Sequence, residues 1–401
     1  MGNSIPEKTV CEHILSSIHS IGFRNPFHDH GAKKLLIGQA LDLLIKAQLR
    51  QHESLSDIEE NLRMRPELRR ALNLETVHGS TIYRKMEALS VSTLQELAMQ
   101  CLQKLDHQYS GTPSFPNLGK LHVVDGREIS LPDKAGEWAY CNKDKNAVKI
   151  HLRYVVLNEE TGYPDDLVLS TAVVSDKEGA AGLIVDQDTT YVLDRGYIHY
   201  HRYHQWEQQN IAFVARIKKN MKCPVVRYNQ PSDNPNAPLD AEVEITDPET
   251  GEPFRLRLVA FQDEQHREYR VLTNRWDLTA WEVTEVYRHR WKIELFFKWL
   301  KQHLHLVRSY NHKQEAVCLQ IYTTIIAYSL IEWMKTQVEK KVTTWDILKK
   351  IRHYWFLTWH QWMEEFQRKP IRSSKGRRKK GKPGRPRKHP KKQHPQKKIL
   401  T

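Results

Sequence analysis

The sequence has little cysteine: Cys11, Cys101, Cys141, Cys223 and Cys318 are all that 401 residues contain. The number is odd and no two stand at a metal-binding spacing. A disulfide-stapled secreted scaffold and a thiolate zinc site are therefore excluded, and free thiols in a reducing cytoplasm are expected. Long apolar runs are also missing. The most apolar stretch, AVCLQIYTTIIAYSLIEW at 316–333, is interrupted by Gln320, Thr323 and Thr324, so it reads as a buried helix and no membrane partner is expected. No charged-then-apolar leader opens the chain.

Acid is absent from one region altogether. Residues 368–401 hold 16 Lys and Arg with no Asp or Glu, leaving 46 basic against 48 acidic residues elsewhere. The formal net charge of +14 thus belongs to the tail, and nucleic-acid binding by the body must come from local clusters. The tail is rich in Pro and poor in large apolar side chains, a composition that stays disordered when free. Its PGRPRK segment at 383–388 resembles an AT-hook, which would set Arg385 and Arg387 in a narrow minor groove, while non-specific phosphate binding explains it equally well.

What is present divides the chain. An apolar content of 39% suffices for one large or two to three ordinary domains. Residues 1–108 repeat apolar positions at helical spacing and read as a helical domain, for which DNA binding is the expected role. Within it HGSTIYRKMEAL offers Ser80 and Thr81 as caps, then Tyr83, Arg84 and Lys85 in the first exposed turn, which fits a helix end entering a DNA groove and equally an ordinary capped surface helix. A linker rich in Pro and Gly follows at 110–119. Strands with short helices, including one near 177–185, then fill 120–222; strands alone fill 223–276; and long helices are expected at 279–305, 314–337 and 344–367. The segments 277–310 and 311–367 accordingly read as the end of the core and a C-terminal helical region. His201 and His204, in HRYHQW, form an i,i+3 pair that is assigned to a helix surface, since a zinc site needs more ligands.

One helix carries the clearest chemistry. In YRHRWKIELFFKWLK at 287–301 a single acid, Glu294, stands among cations and aromatics. At about 100° per residue, Tyr287, Arg290, Glu294, Lys298 and Lys301 share one face, with Ile293, Phe296 and Leu300 opposite as the core stripe. A surface pair between Glu294 and Lys298 is the bland reading; a carboxylate holding a metal against phosphate is the other. Two further acids end expected strands, Asp125 in LHVVDG and Asp194 in TTYVLDRGY. Either could begin a turn or face a cleft as a ligand.

The full Tyr-x2-Arg-x3-Glu-x6-Lys pattern at Tyr287, Arg290, Glu294 and Lys301, together with DG at Asp125 and DRGY at Asp194, resembles the insertion-sequence-four family of DD-E transposases. Arg127 departs from the small hydroxylated residue that often follows Asp-Gly there. The resemblance implies an α/β (α+β) fold: a ribonuclease-H-like, five-stranded mixed sheet flanked by helices, with an all-β insertion before the Glu-bearing helix. It implies an enzyme that cuts DNA at its element's inverted repeats and joins the 3′-hydroxyls to target DNA, as a homodimer on DNA in a bacterial cytoplasm. Asp125, Asp194 and Glu294 would hold two Mg²⁺ ions, with Mn²⁺ as a substitute. Tyr287, Arg290, Lys298 and Lys301 would contact phosphates, and Trp291 would either stack on a base or belong to the core. A structure-specific nuclease and a non-catalytic DNA-binding derivative are the alternatives.

Overall fold

The computed structural model describes residues 7–19, 29–132, 136–143, 145–229, 238–306 and 309–368. Arg385, Arg387 and the rest of the AT-hook-like tail lie outside the described residues. Six helices come first: α1 Val10–His19, α2 Ile37–Arg50, α3 Leu55–Met64, α4 Pro66–Leu72, α5 Gly79–Ala88 and α6 Val91–Tyr109. Their ends follow local chemistry. Ser54 accepts from Asp57 N to cap α3, and Pro66 opens α4, where a missing N–H costs nothing. The caps expected for α5 are displaced: Ser80 and Thr81 lie inside the helix, and His78 Nδ1 accepts from Ser80 N because the helix already begins at Gly79.

The strands are β1 Leu121–Leu131, β2 Tyr140–Asn142, β3 Lys145–Val156, β4 Gly162–Thr171, β5 Thr190–Leu193, β6 Ala212–Arg216, β7 Val225–Tyr228, β8 Leu239–Thr246, β9 Pro253–Gln262 and β10 Glu268–Thr273. Between them lie α7 Asp176–Gly179 and α8 Tyr200–Gln208. Five strands run in the order β4-β3-β1-β5-β6, with β3 antiparallel to β1, and β5 and β6 following it in parallel. This is the mixed, ribonuclease-H-like sheet. The β segment does not stand apart from it: β10 pairs antiparallel with β6, and β9, β8 and β7 continue outward. Without β10, strand β6 would present an open row of backbone donors and acceptors. Thr273 and Asn274 secure the join, Thr273 Oγ1 donating to Phe213 O and Asn274 Oδ1 accepting from Phe213 N.

The helix expected near 177–185 shrinks to α7 and a 3₁₀ turn at Ala181–Leu183. Gly179 is poor in helix propensity and sits so close to β3 that an added Cβ would lie 2.2 Å from the His151 ring.

The remaining helices are α9 Ala280–Arg288, α10 Trp291–His303, α11 Gln314–Thr336, α12 Thr344–His353 and α13 Trp359–Gln367. Two expected continuous helices are therefore each broken. At His289 and Arg290 the backbone tightens into i→i−3 bonds, His289 N to Val286 O and Arg290 N to Tyr287 O. The angular projection drawn from Tyr287 consequently does not carry through to α10. At 354–358 the chain turns because its carbonyls are taken by α1: Val10 N donates to Leu357 O at 2.9 Å and Cys11 N to Trp355 O at 3.0 Å.

Helix α11 is the hub. It is long and apolar enough to cross a membrane by length and composition, yet 94% of that window is buried inside the protein. Its neighbours are α2, α5, α6 and α12, so helices from both ends of the chain share one apolar core with the α10 face of the sheet. A second core lies on the opposite face, under α8, around Tyr203, Trp206 and Phe213. Ile326 in α11 is fully buried, and Ile326→Ala should lose about 2–5 kcal/mol. Helices from both ends should unfold together at lower urea, read by coincident circular dichroism and tryptophan fluorescence transitions.

Candidate active site

The sheet brings the two aspartates together by register. In the parallel pair β1–β5, Val124 stands opposite Leu193, so Asp125 and Asp194 are each the next residue on neighbouring strands, which lie about 4.8 Å apart. Asp194 ends β5 as expected from sequence. Asp125 does not end β1, which runs on to Leu131 against β3; it lies where β1 loses its partner on the β5 side. Both acids continue the side-chain alternation of Val123 and Val192, which belong to the core on the α10 face.

Glu294 enters from α10, whose Ile293, Phe296 and Leu300 are buried as the helical stripe requires. Its partner is Arg290, with Nη2 to Oε1 at 2.6 Å, and not Lys298, which is exposed. Nη1 of the same Arg290 reaches within 3.8 Å of Asp194 Oδ2. Tyr287, at the end of α9 and only 5% exposed, donates its hydroxyl to Asp194 Oδ1 at 3.3 Å, and Arg216 approaches that oxygen at 3.7 Å. Helix α10 thus lends an acid, the break before it lends a guanidinium, and both meet the strand acids.

The electrostatics carry the same pattern. Burial pushes Asp125 from 3.8 up to about 6, and Asp194 and Glu294 push the same way, against the Gly126 N–H and Arg290. Burial opposes the charge on Arg290, but Tyr287, Asp194 and Glu294 more than restore it. Burial also lowers Lys301, and Arg127 on β1 adds to the effect. The site is a nest of acids around one cation, with Arg127, Lys301 and Arg216 about it. Among the described residues, no group of three or more His, Cys, Asp or Glu is closed tightly enough to hold a metal ion as it stands, and Arg290 spans the gap between Asp194 and Glu294.

Trp291 is 55% exposed, one turn before exposed Leu295, so the core reading of Trp291 fails. Of the N-terminal candidates, Lys85 is paired with Asp29 at 2.8 Å and Arg84 Nε bonds back to Ser80 O. Tyr83 is exposed, and Thr81 lines a cleft of about 710 Å³ shared with Lys33 and Lys34. These residues do not approach the carboxylates by any described contact. His201 and His204 are not a free surface pair: both Nδ1 atoms bond Oδ2 of the fully buried Asp247, at 2.9 and 2.8 Å, pinning α8 to the turn after β8.

Sequence reasoning missed Asp176. Its carboxylate sits where side chains on Gly126 and Gly196 would be, 2.5 and 2.8 Å from ideal Cβ positions, and Lys149 lies 3.2 Å away. It braces, from the opposite face, the two segments that carry Asp125 and Asp194. The signal was a glycine shortly after each acid. Beside it the buried Tyr197 hydroxyl has no hydrogen-bond partner among the described residues.

These features define a ribonuclease-H-like core with an acid cluster between two parallel strands and a helix, and a family model described as a transposase DDE domain matches residues 118–330. The chain belongs to that family and is a DNA transposase of the insertion-sequence-four type. It is 27% identical over 67% of its length, and 70% of the relative's, to a Geobacillus stearothermophilus protein named as a probable transposase for insertion sequence element IS5377. It is 30% identical over 53% of its length to a candidate transposase of Sinorhizobium fredii, spanning 60% of that protein. A Synechocystis protein named as a candidate transposase for insertion sequence element IS4SA is 25% identical over 73% of this chain and 84% of its own length.

Because the folded state holds the Asp125 proton to about pH 6 while an unfolded chain releases it near 3.8, metal-free stability should fall as pH rises through that window and level off above it. Asp125→Asn should therefore be more stable than wild type at pH 8 in EDTA, by about 1–3 kcal/mol, with the difference gone below pH 4. Urea titrations across pH test the sign. Separately, Gly196→Ala should cost about 1–3 kcal/mol, and Asp176→Ala should relieve most of it in a double-mutant cycle.

Proposed function

We propose that this transposase binds the terminal inverted repeats of its own element, cuts the ends, and joins the freed 3′-hydroxyls to target DNA. Asp125, Asp194 and Glu294 are its metal-holding carboxylates. The observation that carries the reading is the meeting of three acids from β1, β5 and α10 around Arg290. Their donor set is oxygen only, which suits a hard divalent ion such as Mg²⁺. Asp125 is raised chiefly by burial, with Asp194 and Glu294 adding to it against Arg290, so a bound cation would find a favourable partner there. Two Mg²⁺ ions there would lower the pKa of an attacking water or hydroxyl and steady the leaving oxygen.

The other residues take roles that their surroundings support. Arg290 can receive a phosphate in a two-pronged manner, Lys301 and Lys298 act as point charges, and Tyr287 fixes Asp194 through its hydroxyl while presenting no charge of its own. Arg290 must share itself between the acids and the DNA, so phosphate binding and carboxylate compensation are linked. Exposed Trp291 is available to stack on a base at the cut end. Residues 1–108, with Ser80, Tyr83 and Arg84 as exposed members of the α5 set, contact the inverted repeat, and the basic tail with Arg385 and Arg387 adds non-specific hold. A second copy would bring the other end alongside. The free thiols, Cys11, Cys101, Cys141, Cys223 and Cys318, suit a reducing bacterial cytoplasm.

Purified full-length protein, Mg²⁺ and DNA carrying the element's ends provide the test. Cut and joined products support the proposal, cut products alone indicate a nuclease, and a shifted but intact fragment indicates a binding protein. Glu294→Gln should retain the shift and lose cutting by roughly a hundredfold or more; wild-type cutting by this variant would refute the ligand assignment. Arg290→Ala should melt lower than wild type in EDTA and gain more from added Mg²⁺, because the ion replaces the missing positive charge. An equal Mg²⁺ response would show that the ion does not stand in for Arg290, and no response in either protein would sink the idea that the acids bind metal.

A further inference from the structure

Buried arginines elsewhere in this protein are matched by acids. Arg153 is paired with Asp165 and Asp186, and Arg257 with Asp240, each at 2.9 Å or less. One cleft departs from the rule. A cavity of about 290 Å³ between α2, the α3–α4 junction and the segment after α12 is lined by Lys46, Arg50, Arg65, Arg352 and His353, with Asn61 at its edge. Among the described residues none of those four Lys and Arg side chains has a carboxylate within ion-pairing distance. The acid nearest in effect, Asp57, is taken by His52 Nδ1 at 3.0 Å and by Glu53 N.

The hydrogen bonds there are largely satisfied, but the charges are not. Lys46, 4% exposed, donates to Asn61 Oδ1 and lies 3.2 Å from His52 Nε2. Arg50 donates to Arg352 O, while Arg352 donates to Leu49 O at 2.7 Å and His303 O at 2.6 Å. All these acceptors are neutral. Helix C-termini favour cations, and Arg50 and Arg352 stand at those of α2 and α12. Each terminus is worth only about half a negative charge, so the cations stay in excess. The groups feel it. Lys46 is pushed down to about 7 by burial and then by Arg50 and Arg65, against Cys11 and Asp57, and Arg352 down to about 10 by burial and then by Arg50. A cluster of this kind is costly unless something negative completes it.

We propose that this cleft binds a phosphoryl group, supplied either by a DNA backbone or by a free phosphate compound. Arginine and lysine together match the chemistry: planar forks for two phosphate oxygens and a compact ammonium for a third. Occupancy would join three elements, because Arg352 already holds the end of α10 at His303 O. Glu294 lies nine residues back on that helix, about 14 Å along its axis. A duplex lying along α10 could reach both places. The site does not depend on the carboxylates, so its failure and theirs are separable.

The full-length protein is melted in increasing inorganic phosphate at ionic strength fixed with NaCl, and its binding to duplex DNA of the element's ends is measured across salt. Wild type should gain a few degrees in Tm once phosphate well exceeds its dissociation constant. Lys46→Met, which removes a buried charge while keeping volume, should abolish the gain. Arg65→Gln, at an exposed side chain, should weaken it and covers the case in which Lys46→Met misfolds. If these variants also lower DNA affinity and reduce the salt slope by about one, the phosphate is the DNA's. If DNA binding is unchanged, the ligand is a free phosphate compound. No wild-type response to phosphate with an unchanged salt slope in both variants overturns the proposal, and so does a response that both variants keep in full.

Discussion

Three carboxylates brought within reach of one another repel, and the site is organised around the guanidinium of Arg290, which joins Asp194 to Glu294 while Arg216 stands beside Asp194. Arg290 is placed by the break between α9 and α10. Were the helix continuous, the side chain would follow the regular helical phase set by Tyr287. The tightened turn instead sets it between an acid from α10 and an acid from β5. Tyr287, packed near Phe261 and Tyr269 of the outer strands, passes the same constraint on to β9 and β10. The added strands therefore contribute the wall behind the site as well as covering β6.

An arginine held among acids is also exchangeable. Its bonds to Asp194 and Glu294 are of the type a phosphate or a divalent ion could replace, because each partner offers oxygen and charge. The rigid features lie behind it: the parallel register of β1 and β5, and Asp176 seated against Gly126 and Gly196. Adaptable charge in front of a fixed backbone suits a site that must accept a long, stiff polymer and then release it.

Much of this was legible in the sequence, for reasons that differ by element. The apolar runs around Asp125 and Asp194 are strands because their β-branched residues fill both faces of a covered sheet, and the spacing of Ile293, Phe296 and Leu300 marks a core stripe wherever the helix starts. The breaks at 289–290 and 354–358 were not legible, since neither holds Pro or Gly. They arise from long-range partners, the acids in one case and the backbone of α1 in the other. Asp176 was hidden for a similar reason: its importance lies in two glycines 50 and 20 positions away, which only the fold brings beneath it. Asp247 likewise gathers His201 and His204 from across a turn. Lys46 reads as one more cation on an amphipathic helix until α12 arrives to bury it among arginines.

The meeting of α1 with the turn after α12 also has a temporal consequence. Thr9 bridges to Thr358, His360 N donates to Glu7, and His13 stacks on Trp359. The earliest described residues are thus finished by some of the latest. At roughly 5–20 residues per second, a ribosome needs many seconds to deliver α11 and α13 after α1 has emerged. During that interval α1 and α2 can pack only against early neighbours such as α4 and α5, so the nascent chain is most exposed to mispairing before α11 to α13 cover the rest of their apolar faces.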